Sequence, residues 1–77
     1  DADLLDEVGA VGILWDAMAT AQEDEASYKR AYYRIKNFYR INKPKIKRCK
    51  TDAGRVEYNK RMQLIEEFIF QLEKELF

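Results

Sequence analysis

Apolar residues recur along this chain at intervals of three and four, with no alternation of strand length, and that period predicts helices throughout. In the first stretch Leu4, Val8, Val11, Trp15 and Met18 form one stripe, with Leu5, Gly12 and Ala19 beside it. The spacing predicts an amphipathic helix over about 3–21. Asp3 is the expected N-cap, and Asp6 and Glu7 fall in the first turn, where the helix dipole favours acids. Gly9 and Gly12 each cost a helix interior about 1 kcal/mol relative to Ala. Close approach of a neighbouring helix at Gly12 and Ala19, beside the Trp15 ring, would offset that cost; a break near Gly9 is the competing expectation.

The polar, acidic run Gln22 to Ala26, with Asp24 or Ser27 as cap, opens a second helix over about 25–42. Its core stripe is Tyr28, Tyr32, Ile35 and Tyr39, widened by Ala31 and Phe38. Pro44 disfavours helical geometry at Lys43, so the helix is expected to end at Asn42 or Lys43. The connector Lys45 to Lys50 reads equally as a helical turn or an ordered loop. A third helix over about 52–76, capped by Thr51 or Asp52, carries the coiled-coil-like seam Tyr58, Met62, Ile65, Ile69, Leu72 and Leu76. Val56, Leu64, Phe68, Phe70 and Phe77 lie off that seam and make the helix apolar on more than one side.

These elements predict an all-α fold: one domain over residues 1–77, as a three-helix antiparallel bundle or a helical hairpin with an additional N-terminal helix. The expected core is Leu4, Val8, Val11, Trp15, Met18, Tyr32, Ile35, Phe38, Tyr39, Met62, Ile65, Ile69 and Leu72. A chain of 77 residues supports one small core and not two. The apolar excess of the third helix therefore predicts a dimer or higher oligomer, with Phe68, Phe70, Leu76 and Phe77 at the oligomer or partner interface.

Composition removes most chemistry. There is no histidine, which excludes Ser-His and Cys-His nucleophiles and His-containing metal sites. The single cysteine, Cys49, can form neither an internal disulfide nor a thiolate metal cluster, which points to the cytoplasm or another reducing intracellular compartment. Its expected role is that of a small apolar residue. The acidic groups Asp6/Glu7, Glu23 to Glu25 and Glu66/Glu67 are not gathered by any motif. No enzymatic activity, metal, cofactor or small-molecule substrate is expected, and no apolar run is long enough to predict a membrane span or signal peptide.

Charge adds the most informative feature. Net charge is zero, yet residues 1–27 hold eight acids and no base, whereas residues 28–61 hold thirteen bases and two acids. Such segregation means either that the acidic segment pairs with the basic one or that the fold presents two faces of opposite sign. On the second helix Lys29, Tyr33, Lys36, Arg40 and Lys43 share one stripe beside the core stripe. Cations there suit phosphates, and an exposed Tyr can stack on an unpaired base. The expected nucleic-acid-binding set is Lys29, Arg30, Tyr33, Arg34, Lys36, Arg40, Lys43, Lys45, Lys47, Arg48 and Lys50, for DNA or RNA and without base-reading specificity. The alternative is a protein-interaction or assembly module that docks through the acidic first helix or the apolar third. Against both stands the expectation of an ordinary solvated face, partly neutralised by the acidic segment.

Overall fold

A computed structural model describes residues 1–77 as four α-helices and one 3₁₀ helix, with no strand. They are α1 (Ala2–Leu5), α2 (Ala10–Ala21), α3 (Tyr28–Asn42), a 3₁₀ helix (Lys43–Arg48) and α4 (Asp52–Leu76). Helix α3 runs antiparallel to both neighbours. Arg34 meets Asp16 and Phe38 meets Gly12 on α2, while the Tyr39 hydroxyl donates to Glu66 and Tyr58 reaches Asn42 from α4.

The single first helix expected over 3–21 is two helices, in line with the competing expectation of a break near Gly9. Helix α1 stops at Leu5, and Gly9, with φ +90° and ψ −148°, the one positive φ in the chain, is the N-cap that starts α2 in a new phase. A Cβ at Gly9 would also stand 3.1 Å from the Arg61 Cβ and Cγ. The break rotates everything after it. Val8, before it, lies in the core, but Val11, Trp15 and Met18, expected there, face outward with Leu14, all between 60% and 70% exposed.

Helix α2 turns Gly12, Asp16 and Thr20 inward instead. Without a Cβ, Gly12 lets the Phe38 ring pack against the helix backbone, which is the close approach anticipated at this glycine, although Trp15 takes no part in it. The Thr20 hydroxyl donates to the Asp16 carbonyl at 2.8 Å, and Arg34 Nε donates to Asp16 Oδ1 at 3.4 Å. Gly12, Asp16 and Thr20 thus take the inner face, with Thr20 bonded within α2 and Asp16 Oδ1 held by Arg34 of α3, and the apolar stripe is left on the surface.

The remaining boundaries follow local chemistry. Ser27 caps α3 by accepting from the Arg30 N–H at 3.1 Å, so the helix starts at Tyr28 and not near residue 25. At its far end the chain continues helically through Pro44 in a 3₁₀ helix, where the missing proline N–H falls in the first turn and leaves no bond broken. Tyr58, buried in the core, donates to the Asn42 carbonyl at 2.6 Å and fixes this junction. Thr51 caps α4 by accepting from the Gly54 N–H at 3.0 Å.

Asp1, not Asp3, flanks α1, and it makes no side-chain cap there. Its carboxylate accepts instead from the backbone N–H groups of Lys50 at 2.8 Å and Thr51 at 3.0 Å, tying residue 1 to the start of α4. The core is Val8, Tyr32, Ile35, Cys49, Tyr58, Met62, Ile65 and Ile69, with Leu4, Leu5, Ile13, Phe38, Tyr39, Ile46, Leu72 and Leu76 packed around it. The expected seam of α4 is therefore the centre of the bundle. No helix is long and apolar enough to cross a membrane.

Candidate nucleic-acid interface

The sequence places ten bases and no acid between residues 28 and 51, and the fold sorts them into two flanks. Arg30 and Arg34 lie on the side of α3 that faces the end of α2. Glu23 accepts from both at 3.0 Å, and Arg34 also reaches Asp16. The acidic segment neutralises these two and no others in the run. The Asp16 side chain is only 7% exposed and its Oδ2 has no hydrogen-bond partner. Burial raises its pKa above the ordinary carboxylate value, against the opposing pull of the Arg34 hydrogen bond and charge.

Lys29, Lys36, Arg40 and Lys43 occupy the other flank, and none forms a salt bridge. Three of them sit over aromatic rings: Lys29 5.1 Å from the Phe77 centroid, Lys36 5.6 Å from Tyr32 and Lys43 5.4 Å from Tyr39. Lys36 also donates to the Tyr32 hydroxyl at 3.2 Å, and that bond raises its pKa; the Tyr39 hydroxyl does the same for Lys43. Both stay fully charged at neutral pH. Glu73 and Glu66 on α4 contribute smaller upward pulls from the neighbouring ridge.

Tyr33 is exposed at the centre of this stripe. With Lys36, Asn37, Tyr39, Arg40, Lys43 and Pro44 it lines an open groove of about 620 Å³. Four of the five stripe residues read from the sequence thus line one groove, and Lys29 lies outside it. Beyond Pro44 the 3₁₀ helix carries Lys45, Lys47 and Arg48, followed by Lys50, none of them ion-paired. Alternation in this segment has a plain cause: Ile46 packs on the core and Cys49 is buried in it, so the bases between them are held away from the core.

The residues expected at a partner interface divide. Phe68, Phe70 and Phe77 are exposed, whereas Leu76 is half-buried against the core. Phe77 stacks edge-on to Tyr32 at 5.3 Å between centroids, and Lys74 lies 4.6 Å over the Phe70 ring. The sequence reading missed the outward face of α2 because a stripe read through residue 9 assumes unbroken helical phase. The signal was Gly9, two residues before the first misplaced side chain.

No family model, curated protein or solved structure matches this chain, so its function is argued from its own residues.

Proposed function

We propose that the chain is a non-catalytic nucleic-acid-binding module that holds phosphates on the outer flank of α3 and the 3₁₀ helix after it. The observation that carries this reading is the set of eight bases without a salt bridge, Lys29, Lys36, Arg40, Lys43, Lys45, Lys47, Arg48 and Lys50, on a segment with no acid of its own. A solvated face needs far fewer. Neutralising phosphates releases condensed counterions, and Arg40 and Arg48 can each hold a phosphate through two N–H groups. Tyr33, packed edge-on against Tyr32 but still 58% exposed, adds an aromatic ring to the groove beside them, which suits stacking on an unpaired base.

Salt-titrated binding to duplex and single-stranded probes tests the proposal. Affinity should fall steeply with salt, and each of Arg40→Gln, Lys47→Gln and Arg48→Gln should lower the slope of log K against log salt by up to about 0.9 on duplex. Tyr33→Ala should weaken single-strand binding by about 1–3 kcal/mol and leave duplex binding nearly unchanged. Absence of binding to both probes at about 50 mM salt, where the electrostatic contribution is large, would reject the proposal.

A further inference from the structure

Helix α2 is amphipathic in the wrong sense for a helix of a closed bundle. Val11, Leu14, Trp15 and Met18 stand at i, i+3, i+4 and i+7 on its outer side, each at least 60% exposed, while its inner side holds Gly12, Asp16 and Thr20. The apolar surface continues onto α4. Val11 and Leu64 line one cleft of about 340 Å³ between the two helices, and Phe68 lies one turn beyond Leu64. A ridge of four large apolar side chains beside a second helix is the geometry that accepts the apolar face of another helix.

Charge selects the occupant. Asp6 and Glu7 lead into α2, and Asp24 and Glu25 follow it; all four are exposed and none is in a salt bridge. Helix α2 carries no base; Lys60 and Arg61 of α4 line the cleft itself, and Arg61 is already bonded to Glu57 and the Leu5 carbonyl. The acidic ends of α2 thus lie beyond the cleft and set the charge along the rest of the face. A second copy seated by two-fold symmetry on this face would bring acidic ends together in either orientation. An antiparallel pair sets Asp6 and Glu7 against Asp24 and Glu25, and a parallel pair sets each cluster against itself. An anionic lipid surface meets the same repulsion.

The geometry points to a helical protein segment as the ligand: one amphipathic helix with an apolar stripe at i, i+3, i+4 and i+7 and Lys or Arg at both ends, docked along α2 and against Leu64. This surface is separate from the basic flank of α3 and does not depend on the nucleic-acid reading.

Trp15 is the only tryptophan and is 70% exposed, so its fluorescence reports occupancy directly. The probes are two tryptophan-free helical peptides with the same central Leu stripe, one ending in Lys pairs and the other in Glu pairs. The Lys-ended peptide should shift Trp15 emission to the blue and bind at least about tenfold more tightly than the Glu-ended one. Neutralising Asp6, Glu7, Asp24 and Glu25 to Asn or Gln should remove about tenfold of that affinity, and Leu14→Glu should abolish binding with the helical circular dichroism signal retained. No shift with either peptide, or equal binding of both, would overturn the inference. So would free protein that sediments as a dimer with Trp15 emission already blue, since a second copy would then cover the face, or preferential binding to anionic phosphatidylserine vesicles.

Discussion

Gly12 lies so close to Phe38 that a methyl group on its Cα would fall 3.3 Å from the ring Cε1 and 2.5 Å from the Glu7 carbonyl oxygen. The second distance is to backbone, which cannot rotate away. Gly12→Ala should therefore destabilise the fold by about 1–3 kcal/mol, even though Ala gains about 1 kcal/mol in helix propensity. Urea unfolding of the pair measures the balance, and a stabilised variant would show that α2 is free to move off α3.

Asp16 gives the fold a pH dependence of a definite sign. Its carboxyl has a raised pKa in the folded state, through burial, so the folded chain takes up that proton more readily than the unfolded chain. The Asp16 contribution to stability therefore grows as pH falls through the folded-state value toward the ordinary 3.8, and is lost again as pH rises. The stability of Asp16→Asn minus that of the native chain should be larger at neutral pH than near pH 4, a figure set by the ordinary carboxylate range. A difference that shrinks on going to neutral pH would mean that the Arg34 contact outweighs burial.

Two substitutions separate surface from core where the sequence stripe merges them. Trp15→Ala should change stability by no more than about 0.5 kcal/mol, because the ring is exposed. Ile65→Ala, at a fully buried position, should cost about 2–5 kcal/mol. Comparable losses in denaturant titrations would place Trp15 in the core after all.

The two flanks of α3 should respond differently to loss of charge. Arg34→Gln strips the buried Asp16 of its cation and should cost about 1–3 kcal/mol of stability while leaving the salt slope of nucleic-acid binding unchanged. Lys47→Gln should do the reverse. Thermal unfolding and salt titration of both variants check the pattern, and a slope lowered equally by the two would extend the phosphate surface to the α2 side.

Much of this was legible in the sequence because period alone determines which side of an isolated helix is apolar. The α4 seam from Tyr58 to Leu76 and the basic stripe of α3 needed nothing further, since neither helix contains an interior break. Each cap was legible only as a pair of candidates, Asp24 or Ser27 and Thr51 or Asp52, and the hydrogen bonds select Ser27 and Thr51. The orientation of α2 was not readable, since it depends on one backbone torsion at Gly9 and on the fit of Gly12 to Phe38, neither of which hydropathy records. Nor did charge counting reveal that Glu23 and Asp16 would engage Arg30 and Arg34 alone and leave the opposite flank without salt bridges.

The torsion at Gly9 also bears on how chains of this kind should be compared. Two sequences with the same hydropathy profile, one with Gly at this position and one with a residue restricted to negative φ, would agree at nearly every aligned site. They would nevertheless differ at the N-cap of α2, where the positive φ is open to Gly and strained for the other residue. In this fold the apolar stripe changes sides at a residue without a side chain, so similarity scored on side chains gives little weight to the position where α2 begins its own phase.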